Sequence, residues 1–220
     1  MPTVAELTLS TDVAADDKLI FLDISDTTYG SDGTEKIAEA TQLLGARAFG
    51  KVTYPIAAYG WFTATTNGAD QQQVEFTAQQ PEAWVYDFDG SSKEYIQAYW
   101  DPPKAWDEGT ITYQVKWLSH SADTDGVVWA MQAAAISDAD AFTTAFGTAV
   151  EVLDHAPNDT DALNWSTESA AVTVGGTPAE GDTVVLQLYR NPDSASDVNA
   201  EDARFLGIKL YFSVNALNDE

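Results

Sequence analysis

Apolar and polar positions alternate over short stretches through most of the chain. In GTITYQVKWLS, Ile111, Tyr113, Val115 and Trp117 fall on one face, and Thr112, Gln114 and Lys116 on the other. That period of two marks a half-buried strand. In TVVLQLYRN, Val184, Leu186 and Leu188 oppose Val185, Gln187 and Tyr189. A strand that starts apolar on both faces is expected near the centre of its sheet. Comparable stretches cover residues 58–65, 82–88, 94–100, 109–118, 127–135, 149–153, 169–174, 183–189 and 205–214. Turn-forming clusters separate them, among them Asp89-Gly-Ser-Ser, Asp101-Pro-Pro, Asp123-Thr-Asp-Gly, Gly175-Gly-Thr-Pro and Asn191-Pro-Asp-Ser. Short strands at this spacing predict a mainly β protein with one antiparallel, jelly-roll-like sandwich over residues 51–220. One interruption, Ser137 to Phe146, has a serine suited to an N-cap and phenylalanines four apart at Phe142 and Phe146. It predicts a short helix over one end of the sandwich.

Residues 1–50 have another character and are expected to form an N-terminal arm. Leu19 to Ile24 reads as a short strand, and Asp26 to Gly33 has turn chemistry. Thr34 to Ile37 then resumes a strand, and Ala38 to Ala48 predicts a short helix.

Charge narrows the possible partners. Asp and Glu number 35 against 10 Lys and Arg, a formal net charge of −25. A phosphate backbone requires a clustered basic footprint, so nucleic acid is not an expected partner. Neither is an anionic membrane surface. There is no cysteine, so disulfides and thiolate metal sites are ruled out. The chain opens without a basic and apolar leader and contains no 18-residue apolar run, so neither secretion nor membrane insertion is expected.

Catalytic chemistry leaves few traces. The two histidines, His120 and His155, sit beside turn residues, with no Gly-x-Ser-x-Gly elbow and no His-Glu-x-x-His spacing. Asp87 with Asp89 and Asp123 with Asp125 are close carboxylate pairs, but pairs of this kind arise readily in so acidic a chain. No catalytic residue and no cofactor is expected. Asp123 and Asp125 remain a weak candidate for Ca²⁺, which takes oxygen ligands from loops. Trp117 and Trp129 lie in alternating strands and are expected in the core. Trp61 sits beside Tyr59 and Phe62, Trp100 and Trp106 flank Asp101-Pro-Pro-Lys104, and the three are candidate loop aromatics for a protein interface or a sugar.

Two stretches carry a resemblance. The opening LTLSTDVAADDKLIFLDISDTTYGSDGTEKIAEATQLL resembles a segment recurrent at the N-termini of tailed-phage virion proteins. The matching residues are Asp23, Ser25, Asp26, Thr27, Thr28, Gly33, Thr34, Lys36 and Ile37. From Trp84 to Phe212, the landmarks TITYQVKWLS, GVVWAMQAAAISDADAF, GDTVVLQLYRNP and ARFLGIKLYF resemble an uncharacterised β-sandwich of phage structural proteins. The resemblance implies a virion surface protein attached through residues 1–50, of capsid decoration or cement type or a short fibre or spike subunit. Its implied partners are other virion proteins, a major capsid protein or a tail or vertex protein, and copies of itself, most simply as a trimer. The alternative is a receptor- or glycan-binding tail-fibre module that adsorbs to the host cell.

Overall fold

The computed structural model describes the backbone of residues 18–23 and 34–39 and the whole of residues 50–216. The chain divides into two compact units, Met1–Gly50 and Lys51–Glu220. In the first, β1 (Lys18–Asp23) pairs antiparallel with β2 (Thr34–Glu39), in register from Lys18↔Glu39 to Asp23↔Thr34. The helix expected from Ala38 does not begin there. Ala38 and Glu39 pair with Leu19 and Lys18 in the hairpin, and residues 40–48 lie outside the described residues.

The second unit is built from β3 (Lys51–Ala57), β4 (Phe62–Thr63), β5 (Asp70–Glu75), β6 (Glu82–Phe88), β7 (Tyr95–Trp100), β8 (Thr112–Ser119), β9 (Gly126–Ile136), β10 (Val150–His155), β11 (Leu163–Trp165), β12 (Val174–Gly175), β13 (Thr183–Arg190) and β14 (Ala203–Ser213). They form two sheets. The front sheet has the order β10-β9-β13-β7-β4, with β12 added in parallel to β9. The back sheet has the order β11-β8-β14-β6-β5, with β3 also paired to β14. Every other strand pairing in the two sheets is antiparallel. This is the expected sandwich.

The core follows from alternation. Tyr113, Val115 and Trp117 of β8 and Ile208, Leu210 and Phe212 of β14 face Trp129, Met131, Leu186, Leu188, Ile96 and Trp100 of the front sheet, all buried in one cluster. Phe88, Trp129 and Phe205 pack in mutual ring contact at its centre. Phe205 and Ile208 can share a face although three residues apart because the register shifts between Phe205 and Gly207. Gly207 carries the bulge at φ +143°, and a Cβ there would lie 2.5 Å from the Ile56 carbonyl oxygen.

One ion pair lies inside. Arg190 and Asp197 are both fully buried at 2.7 Å. The guanidinium also donates to the Glu201 carbonyl at 2.6 Å, and Asp197 accepts the Val128 N–H at 2.9 Å. The pair fastens the loop after β13 to the rim of the front sheet.

Three sequence expectations need correction. Ser137 to Phe146 forms turns instead of a helix: Asp140 N–H donates to the Ser137 carbonyl, Thr143 N–H to that of Ala141, and Ala139 sits at φ +66°. A left-handed residue breaks helical propagation. The strand expected over residues 58–65 is a 3₁₀ turn at Ala58–Gly60 followed by the two-residue β4, and the chain crosses there from β3 in the back sheet to β4 in the front sheet. That expected over residues 169–174 is reduced to the bridge Ile111↔Val172 and the short β12.

Candidate functional site

The outer face of the front sheet carries an ordered set of side chains. Register places Gln132, Gln187, Gln97 and Phe62 in one row across β9, β13, β7 and β4. The row on one side is Ala130, Tyr189 and Tyr95; the row on the other is Ala134, Val185 and Tyr99. The inward partners Ile96, Ala98, Leu186 and Leu188 fix this orientation, since alternate residues must face outward.

A groove runs along these rows. A hollow of about 440 Å³ is lined by Tyr95, Gln97, Gln132, Gln187 and the Ala64–Asn67 loop. Through Gln97 it adjoins a smaller one of about 140 Å³, lined also by Ala134, Val185 and Phe146. That in turn shares Ile136 and Phe142 with a hollow of about 450 Å³ between Tyr99 and the Ser137–Phe142 turns. Such volumes suit an extended small ligand. The Ala64–Asn67 loop and the Ser137–Phe142 turns form its walls.

The polar capacity of the floor is largely unspent. Gln132 Nε2 donates to Gln187 Oε1 at 2.5 Å. Among the described residues the Gln187 NH₂ and the Gln132 carbonyl oxygen have no other hydrogen bond. Among the described residues Gln97 makes no side-chain hydrogen bond. Aromatic rings flank the amides: Tyr95 and Tyr189 lie 5.1 Å apart, Phe62 and Tyr99 5.2 Å, and Tyr99 and Phe142 6.1 Å. Tyr99 and Phe142 are more than half exposed. Burial pushes the Tyr189 phenol above the ordinary tyrosine value, so it stays a neutral hydroxyl. Amides and ring faces side by side can hydrogen-bond hydroxyls and stack on C–H faces at once.

The residues expected from sequence fall elsewhere. Trp61, Trp100 and Trp106 are 3%, 1% and 2% exposed and belong to the core. Trp100 projects inward from β7 against Trp106 and Phe212 at 5.2 and 5.0 Å, and Trp61 meets Phe205 edge-on at 5.3 Å. They are therefore not loop aromatics open to a partner. Asp123 Oδ1 accepts the Asp125 N–H at 2.9 Å, an Asx turn. Among the described residues no group of three or more His, Asp or Glu is placed to hold a metal ion. Asp87 is paired with Arg204 and Asp89 caps the Ser91 turn. His120 is exposed, and His155 lies 3.3 Å from the Thr124 carbonyl. Of the opening segment, Asp23, Thr34, Lys36 and Ile37 lie on the β1–β2 hairpin. Ser25, Asp26, Thr27, Thr28 and Gly33 lie outside the described residues. The groove's own signal was present in YIQAYW and VVLQLY, where aromatics and glutamine share the polar face of two strands. A polar face ordinarily reads as solvent-facing, so it did not stand out.

No family model matches the chain, and no curated protein matches it. Among solved structures, the chain is similar to the CBM36-1 domain of a multidomain xylanase from the hindgut metagenome of Trinervitermes trinervoides, at 5% identity and TM-score 0.40, over 75% of this chain and 99% of that one. It is similar also to the CBM22-1 xylan-binding domain of Paenibacillus barcinonensis Xyn10C, at 10% identity and TM-score 0.42, over 77% and 97%. A third likeness is to the arabinose-bound α-L-arabinofuranosidase MgGH51, at 10% identity and TM-score 0.41; it covers 73% of this chain but only 24% of the enzyme, about a quarter of its length. At these identities the likeness is one of β-sandwich architecture.

Proposed function

We propose that this chain is a non-catalytic glycan-binding sandwich displayed on the surface of a tailed-phage virion, its groove holding a neutral polysaccharide of the host cell. The observation that carries the glycan reading is the row Gln132–Gln187–Gln97, with free amide groups, set between exposed rings in an open groove. A sugar ring presents apolar C–H faces and a rim of hydroxyls, and this floor offers stacking surface and neutral donors and acceptors to match. Amides and phenols at the centre of the floor neither protonate a leaving group nor act as a nucleophile, which favours binding over hydrolysis. An open groove suits an internal stretch of polymer.

The virion half of the proposal is supported by the resemblance of the opening segment. In that setting the partners are other virion proteins, and a homotrimer would multiply weak single-site contacts into useful avidity. A capsid decoration or cement role fits the same segment but has no use for the groove.

Affinity electrophoresis through gels containing neutral polysaccharides tests the reading. Retardation by at least one neutral polymer is expected. Gln97→Ala should weaken it by about fivefold, since a hydrogen bond contributes about 1 kcal/mol and 1.4 kcal/mol is tenfold. Tyr99→Ala should weaken it at least as much. No retardation across the panel, or retardation indifferent to both substitutions, would refute the proposal.

A further inference from the structure

The back sheet carries a second surface of different chemistry. Lys51, Lys116, Arg204 and Lys209 project from its outer face, whereas Lys93 and Lys104 lie elsewhere and Arg190 is buried. Most of the sandwich's few cations thus gather on one face of a chain with net charge −25.

Their pairing is uneven. Lys51 pairs with Glu168, Lys93 with Asp193, Lys104 with Glu180, Arg190 with Asp197, and Arg204 with Asp87 and Asp161. Lys116 and Lys209 alone have no acidic partner among the described residues, although acids are in more than threefold excess. Both ammonium groups instead lie over the Trp165 ring, Lys209 Nζ at 4.2 Å and Lys116 Nζ at 5.9 Å from its centroid. They are diagonal neighbours across β8 and β14, because Lys116 pairs with Gly207 and Lys209 with Gln114. Two like charges side by side disfavour the folded state unless an anion joins them.

We propose that Lys116, Lys209 and Trp165 form a binding site for carboxylate-bearing sugar residues of an acidic polysaccharide, separate from the front groove. Cation–π attraction holds both ammonium groups at one ring, which leaves their N–H donors for an incoming carboxylate. On the same sheet Glu168 is held by Lys51, and Arg204 is shared between Asp87 and Asp161. More distant acids are screened beyond about 8 Å at physiological ionic strength. The row continues along β14 as polar groups, with the Tyr211 hydroxyl donating to Gln114 Oε1 and Gln114 Nε2 to the Ser166 carbonyl. A polar, flat row suits sugar hydroxyls better than the apolar centre that a protein contact buries.

Affinity electrophoresis of the full chain in gels containing polygalacturonate tests this site independently of the groove. Wild type is expected to be retarded, with the effect fading as salt rises. Lys116→Gln with Lys209→Gln should weaken retardation at least fivefold, and Trp165→Ala should weaken it in the same direction. Lys93→Gln with Lys104→Gln, which changes net charge equally, should leave it unchanged, as should Gln97→Ala. Absence of retardation, or equal loss in both lysine pairs, would overturn the site. Equal capture by poly-glutamate gels would overturn the sugar assignment and indicate a site for acidic peptides.

Discussion

At the scale of single residues, the groups that hold the sandwich and those that face its ligand are different. Arg190 and Asp197 do structural work. Arg190→Ala leaves a buried carboxylate without its counter-charge, so a loss of about 3–5 kcal/mol is expected in urea unfolding. Asp154 supplies a pH dependence. Burial raises its pKa above the ordinary carboxylate value, against the hydrogen bond from Trp117 Nε1. Burial likewise raises Asp87 and Glu94. For a group raised on folding, the stabilising contribution is complete below its unfolded value and is lost as pH rises through its folded value. Stability should therefore increase as pH falls from neutral into the upper carboxylate range. Asp89 and Glu168, lowered chiefly by hydrogen bonds from Ser91 and Lys51, act in the opposite sense only as pH falls further, through their own depressed values. Asp154→Asn keeps the one oxygen that accepts from both Trp117 and Asn164 and removes the titration. The variant should unfold at higher urea than wild type at pH 8, and the difference should shrink toward pH 5. A constant difference would exclude Asp154 as a source of the pH dependence.

At the scale of elements, alternation revealed the strands with two-faced patterns and missed those without. β8 and β13 were legible because Tyr113, Val115 and Trp117, and Leu186 and Leu188, are core residues at a period of two. β5 was not, because Gln71, Gln72 and Gln73 are exposed on both faces and its position is set by pairing with β6 at the edge. β3 was masked by Pro55, which an edge strand tolerates because it pairs with β14 on one side only. The Phe142–Phe146 spacing suggested a helix, but Phe142 faces the groove and its segment turns at Ala139. The groove itself was half visible: Gln187 and Tyr189 were placed opposite the apolar face, yet the alignment with Gln97 and Gln132 is a product of register, which no local pattern encodes. On the back sheet, the bulge at Gly207 sets the register between β14 and β8. Gly207→Ala should cost about 1–3 kcal/mol, through strain at φ +143° and a clash with the Ile56 carbonyl. An unchanged urea midpoint would show that the bulge relaxes freely.

At the scale of the whole molecule, aromatic content and charge decide different things. The three candidate interface tryptophans, Trp61, Trp100 and Trp106, are buried inside the sandwich. A trimer would need other contacts, such as exposed Trp84 or Tyr54. The charge of −25 acts on every copy. Self-repulsion opposes the compact state and is screened by salt, so raising NaCl from about 10 mM to about 0.5 M should raise Tm by a few degrees. The two sheets divide the remaining surface: a neutral amide and tyrosine groove in front, and a lysine and tryptophan face behind. The most direct measurement of the central claim is a nuclear magnetic resonance titration with neutral oligosaccharides, following the side-chain amides of Gln97, Gln132 and Gln187. Saturable shifts concentrated on those three amides and on Tyr95 and Tyr99 are predicted. Shifts confined to other surfaces, or no shifts with any neutral sugar, would contradict it.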